Sequence, residues 1–240
     1  MSFEFAHIAA RASAAVTIID RGARPLKAFD SDLVELLIGR STEIGIKVRR
    51  HTTTSAVEQK APGYRLSILT DRTADTLDAD LVVDGAGRVP ALASLNLDGA
   101  HVAYSQRGIT VEPHLQSTTN RAVFAAGDAA DTPGMPLTPV AVFEAKVATS
   151  NMLKQATTTP DYRGVPSVVF TIPELARVGL LEDEARAAGL DLDVRYSDTS
   201  GWFSNYRIGE RTAAAKILID KVTRPSSAPT CSDLSMGYLL

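Results

Sequence analysis

Apolar residues at the start of the chain recur at three- and four-residue spacing. Phe5, Ile8, Ala9 and Ala12 share one face and predict an amphipathic helix. A short β-branched run, AVTIID over Ala15 to Asp20, then suits a buried parallel strand. After the basic turn RGARPLK, Asp30 or Ser31 can cap a second helix with Leu33, Leu36, Leu37 and Ile44 on one side and Gly45 at its end. Ile46 to Arg49 reads as the next strand, and helix, strand, helix, strand is the rhythm of a doubly wound α/β unit. Between Thr52 and Val83 the period falls to two, predicting an antiparallel meander with strands over Tyr64 to Thr70 and Leu77 to Val83. GAGRVP, Gly85 to Pro90, punctuates the chain as a crossing between domains.

A strand, AVFAAGD, and a helix from Pro139 to Leu153 follow, closed by the polar linker TTTPDYRG. Beyond it SVVF, ARVGL, LDVRYSD and TAAAKILID read as strands around a helix over Glu182 to Ala188, which suggests a small α+β domain. The closing stretch RPSSAPTCSDLSMGYLL has neither period and reads as a disordered tail.

Composition narrows the function classes. The 240 residues carry a net charge of −3, so no basic face advertises nucleic acid or an anionic membrane. No apolar run reaches the ~18 to 20 residues of a membrane span, and the N-terminus lacks the basic region of a signal peptide. The single cysteine, Cys231, excludes a disulfide framework, a CxxC pair and a multi-cysteine zinc site within this chain, and fits a reducing cytoplasm. His7, His51, His101 and His114 have no metal-ligand spacing and are expected in surface or core roles. Trp202, Phe203 and Tyr206 are expected in a core or a subunit interface. The acidic run Glu182, Asp183, Glu184 complements a helix dipole, and Leu181 stands where a Ser or Thr cap is expected. No Ser-His-Asp set or phosphate loop is visible.

The most informative segment is Ala122 to Asp131, AVFAAGDAAD. Small residues let a ligand approach the backbone, and Asp128 places a carboxylate where a strand ends, a position suited to a sugar hydroxyl. LTPVAVFEAK, Leu137 to Lys146, opens a helix with Pro139 in its first turn, and helix N-termini favour electron-rich ligand atoms. Here the sequence resembles the flavin-dependent pyridine nucleotide-disulfide oxidoreductases, the glutathione reductase, dihydrolipoyl dehydrogenase and mercuric reductase family. The resemblance implies α/β architecture: doubly wound, Rossmann-like FAD- and NAD(P)-binding domains, followed by the start of an α+β interface domain. It also implies a flavin site at Gly127, Asp128, Leu137, Thr138, Pro139 and Val140, with Asp128 on the ribityl chain of FAD and the helix dipole aimed at the isoalloxazine.

The resemblance runs in register both ways. The first twenty residues are similar to the nicotinamide-nucleotide domain just after its glycine-rich loop, with Glu4 matching the carboxylate beside the nicotinamide ribose. GAGRVP resembles the switch back to the flavin domain, which brings in Gly87 and Arg88, and PSVVFTIPELARVGL resembles the opening of the interface domain. The implied divisions are residues 1–88, a partial NAD(P)-binding domain; 89–160, the later part of the FAD-binding domain; and 161–223, an interface domain. The family's first flavin-binding segment, its redox cysteine pair and the His and Glu of the interface domain have no counterpart here, so no catalytic residue is expected in this chain. The chain is expected to be the middle of a longer protein, binding FAD poorly by itself. A one-base shift in the codons of SSAPTCSDL permits Ile-Val-Gly-Ala-His-Leu-Leu-Gly-Pro, similar to the family's continuation, so residues 224–240 are expected to be a frameshifted, non-native tail.

The nicotinamide cofactor is read two ways. Asp20, at the end of the second strand, suits the ribose hydroxyls of NAD. Arg21, with Arg24 and Lys27, resembles the cationic cluster that binds the 2′-phosphate of NADP, and guanidinium suits that contact. The expected activity is hydride transfer from NAD(P)H to FAD and on to a disulfide or other acceptor. The alternatives are a flavin reductase of the ferredoxin-reductase or NADH-oxidase type, or a non-catalytic remnant that no longer binds cofactor. The expected partners are small-molecule cofactors and, for the intact family member, a second copy in a homodimer.

Overall fold

The computed structural model describes residues 1–154, 158–222 and 234–239, the last six by their backbone. Contacts divide the chain into two units: Met1–Gly85 together with Pro166–Leu240, and Ala86–Val165.

In the first unit, helix α1 spans Ser2–Arg11 and strand β1 spans Thr17–Ile19. Helix α2, Ser31–Glu43, is capped by Asp30, whose carboxylate accepts from the Asp32 and Leu33 amides. Strand β2, Lys47–Arg49, pairs in parallel with β1. Leu33, Val34 and Leu37 of α2 are fully buried among Phe3, Ala6, Ile18 and Ile46. Each such side chain contributes about 2 kcal/mol of burial.

The meander consists of β3 (Thr52–Gln59), β4 (Tyr64–Thr70) and β5 (Thr73–Ala79), paired in that order. The third strand corrects the expectation of Leu77 to Val83. It begins earlier because β4 and β5 are joined by Asp71 and Arg72, both left-handed at φ 46 and 70. Two left-handed residues make the tight hairpin turn that matches strand twist. With no glycine there, the turn is silent in the sequence.

The second unit holds β6 (Tyr104–Ser105), β7 (Gly108–Thr110), β8 (Ala130–Asp131) and helix α3 (Thr138–Lys154). AVFAAGD, expected as a strand, is not one. That segment forms an isolated bridge from Phe124 to Gln116, then a 3-10 turn at Gly127–Ala129. A strand needs a continuous ladder partner, and among the described residues this segment has none.

The remainder of the first unit contains β9 (Ser167–Val169), β10 (Leu175–Val178), α4 (Glu182–Ala187), β11 (Leu192–Asp198), α5 (Phe203–Ile208), β12 (Ala214–Asp220) and β13 (Leu234–Leu239). Its sheet order is β11-β12-β13-β10-β9, antiparallel throughout. The tail's sequence predicts no element, yet the backbone of 234–239 is a strand paired on both sides; such pairing comes from distant neighbours and leaves no local signal. The rest of the 224–240 expectation, and Cys231, lie outside the described residues. Val169, Leu175 and Ala214 join the core around α2.

Two buried polar groups tie this sheet region to α1 and α2. The Lys216 ammonium contacts Asp30 at 3.0 Å, Asp32 at 2.8 Å and Glu182 at 2.7 Å. Burial alone lowers an amine's pKa, but these carboxylates outweigh it and hold Lys216 above the ordinary lysine value. His7 is 1% exposed. Its Nδ1 accepts from the Ile172 amide at 3.3 Å and its Nε2 lies 3.0 Å from Ser41 Oγ, which donates to Leu37 O. That chain of donors fixes the ring as the neutral Nε2–H tautomer. No described helix is long and apolar enough to cross a membrane, and no described cluster of His, Cys, Asp and Glu could hold a metal.

Candidate functional site

The flavin-side candidates all fall in the second unit. Gly127 opens the 3-10 turn at φ +64, and a Cβ there would stand 2.8 Å from the Cβ of Ala141 on α3. Backbone conformation and the approach of α3 both demand glycine at this position. Next to it Asp128 is exposed, and among the described residues its carboxylate makes no hydrogen bond or ion pair. Leu137 caps α3 through its carbonyl, which accepts from the Ala141 amide at 2.9 Å. Thr138 and Pro139 are exposed in the first turn, where amides have no intrahelical acceptor, while Val140 is buried and anchors that turn.

The turn is held from below by a residue that sequence reasoning missed. Glu144, one turn further along α3, is 1% exposed. Its Oε2 accepts from the Gly127 amide at 2.6 Å. Its Oε1 accepts from Thr132 Oγ1 at 2.8 Å and from the Tyr162 hydroxyl at 2.6 Å. Burial, with the bond to Glu144 second, pushes the Tyr162 phenol up to about 12. Gly134 leaves room for this cluster, since a Cβ there would meet Tyr162 at 2.7 Å and Glu144 at 2.8 Å. The available signal was a carboxylate on the buried stripe Val140, Glu144, Val147, Ala148, Asn151.

The nicotinamide-side candidates divide between the units. In the first, Glu4 on α1 accepts from the Phe170 amide at 3.0 Å and pairs with the N-terminal ammonium at 2.9 Å. Burial raises its pKa, but these two partners outweigh that and hold the carboxyl below its ordinary value. Asp20 is half-buried and accepts from the Gly22 amide at 2.7 Å, so one of its oxygens serves the turn. Arg21 and Lys27 are exposed on the same loop, and Arg24 donates to the Lys27 carbonyl at 3.4 Å. Gly87, at φ +124, and Arg88 are exposed and belong to the second unit.

These residues fit the two nucleotides chemically. A glycine too close to a helix for any side chain, an exposed carboxylate without a partner among the described residues and an open helix N-terminus suit a flavin's sugar chain and ring. An exposed pair of cations suits a phosphate.

A family model described as pyridine nucleotide-disulphide oxidoreductase matches residues 1–145, and one described as the dimerisation domain of those enzymes matches residues 165–224. Over 127 residues the chain is 42% identical to an uncharacterized 19.7 kDa protein in a mercuric resistance operon of Staphylococcus aureus, covering 53% of this chain and 71% of that one. Over 177 residues it is 32% identical to mercuric reductase of the same organism, covering 74% of this chain but 32% of the reductase. The fold matches the HOCl-induced flavoprotein disulfide reductase RclA from Escherichia coli with a TM-score of 0.82 at 22% identity, over 98% of this chain and 51% of that one.

Proposed function

The chain belongs to the pyridine nucleotide-disulphide oxidoreductase family, and from that premise we propose that it forms part of a flavoprotein passing hydride from NADPH to FAD and on to a disulfide, metal ion or quinone. When bound, the flavin supplies the redox chemistry and the protein positions it. Asp128 would accept from a ribityl hydroxyl, and the first turn of α3, from Leu137 through Val140, would turn the positive end of its helix dipole toward the ring. Glu4 lies beside the nicotinamide ribose, Arg21 and Lys27 bind the 2′-phosphate, and Gly87 and Arg88 form the crossing between the nucleotide domains. NADPH is preferred to NADH because the Asp20 carboxylate is partly spent on the Gly22 amide while Arg21 stands free of the loop's own bonds. A homodimer built through the dimerisation domain and a cytoplasmic location complete the proposal.

One observation carries it: the Asp128 carboxylate is exposed without a partner among the described residues, beside a glycine pressed against the N-terminal turns of a helix. Titration of the chain with FAD, followed by flavin fluorescence, tests it. Weak binding that Asp128→Ala abolishes is expected; binding indifferent to Asp128 overturns the flavin assignment. A parallel titration with NADPH and NADH should show an NADPH preference lost in Arg21→Ala. An unchanged preference removes Arg21 from the site.

A further inference from the structure

A buried carboxylate that accepts three hydrogen bonds from three separate segments does more than fill a core. One oxygen of Glu144 takes the amide of Gly127 at 2.6 Å, and the other takes Thr132 at 2.8 Å and Tyr162 at 2.6 Å. The two oxygens thus divide their work. Oε2 serves the turn that presents Asp128; Oε1 serves the loop after β8 and the segment leading out of the unit. Gly127 has no side chain to steady it and sits in the left-handed region; its carbonyl accepts from the Ala130 amide within the 3-10 turn, and its own amide is held from outside that turn by Glu144. A peptide group that rotates there redirects the carboxylate of the next residue.

We propose that Glu144 is the positioning residue of the flavin-side turn: through Oε2 it fixes the Gly127 amide and so aims Asp128 at the ribityl chain, while Thr132 and Tyr162 hold Glu144 in place through Oε1. The proposal rests on the reading of Asp128 as the flavin contact. Its geometry also assigns distinct effects to the substitutions around the cluster. Glutamine at 144 keeps one acceptor for Gly127, because the hydroxyls of Thr132 and Tyr162 can turn and accept from its amide nitrogen. Methionine keeps the volume and loses the bond. Tyr162→Phe removes a donor to Oε1 and leaves the Gly127 bond intact.

The test compares wild-type chain, Glu144→Met, Glu144→Gln and Tyr162→Phe by amide NMR, thermal melting and FAD titration. In wild type, Glu144→Gln and Tyr162→Phe the Gly127 amide should exchange slowly. In Glu144→Met it should be free, and FAD binding should weaken about tenfold or more, the loss of one bond to a charged group. All three variants should melt lower, so a role in stability alone predicts that affinity follows melting temperature, with Tyr162→Phe weakened in proportion. That pattern, or an unchanged Gly127 amide in Glu144→Met, overturns the proposal. Should Glu144→Met not fold, Glu144→Asp, one methylene too short to reach both sides, tests the same bond. The amide readout needs no flavin. A wild-type chain that ignores FAD while Gly127 remains held by Glu144 therefore counts against the flavin reading and leaves the positioning of the turn supported.

Discussion

His7 illustrates how much a single buried side chain can decide. Burial, then the charges of Arg40 and Arg11, lowers its pKa below the ordinary 6.5, and its partners require the neutral ring. The unfolded chain therefore binds the proton more readily than the folded one, so this contribution to stability is intact above about pH 6.5 and declines as pH falls. Urea midpoints measured from about pH 7.5 down to 5.5 should drop, and His7→Gln should flatten the drop. An identical slope in the variant would assign the loss to other groups. Gly127→Ala should cost about 1 to 3 kcal/mol, because the new methyl meets both the left-handed backbone and Ala141. Lys216→Met should cost about 2 kcal/mol, less than the ~3 to 5 of a fully buried pair, because Asp32 is 59% exposed. Denaturant melts measure both.

At this scale the sequence discloses residues proposed to meet a ligand more readily than those that meet one another. Asp128 and Gly127 announce themselves by position in a motif. Glu144 and Lys216 do not, because what makes each tolerable underground is a set of donors or carboxylates far away in the chain. Lys216 lies between Ala214 and Leu218 on the inward face of β12, with Ile217 facing the other way. Hydrophobicity alone would choose the opposite phase.

Elements follow local pattern where their contacts are local. α2 begins at Ser31 after the Asp30 cap and presents Leu33 and Leu37 as its spacing requires. α3 and α4 likewise fall within a residue or two of their apolar period and acidic first turn. The misplaced third meander strand and the missing strand at AVFAAGD have a different cause. One depends on a turn whose residues pay for left-handed geometry without glycine, the other on a ladder partner that no local window contains. α4 also carries a correctable flaw. Leu181 offers no side-chain cap, and its own amide instead donates to Glu184 Oε2 at 2.8 Å. Leu181→Thr should stabilise the first unit by about 0.5 to 1 kcal/mol, read as a raised denaturation midpoint. A lowered midpoint would mean that the half-buried leucine packs better than a threonine caps.

For the whole molecule, the exposed side chains of α5 set an expectation. Phe203 is 81% exposed and Tyr206 78%, with Trp202 and Ile208 beside them in the segment matched by the dimerisation model. Such a cluster is more than scattered surface apolarity. Sedimentation should show self-association of the chain, and Phe203→Glu should shift it toward monomer; unchanged sedimentation would place the subunit contact elsewhere. The same element shows why composition and spacing reach the fold class sooner than the assembly. An aromatic cluster reads alike whether a core or a second copy covers it.

The order β11-β12-β13-β10-β9 has a consequence for how the molecule is made. β13 is the bridge between two hairpin-like pairs, and it is the last described strand of the chain. During synthesis β9 through β12 leave the ribosome with two strand edges open, and no pairing between the halves can form until residues 234–239 emerge. The sheet is therefore completed by insertion of a later strand between edges already formed, a long-range step of the slow and aggregation-exposed kind. Anything that delays or blocks that arrival, such as a stalled ribosome, leaves two sticky edges waiting in its place.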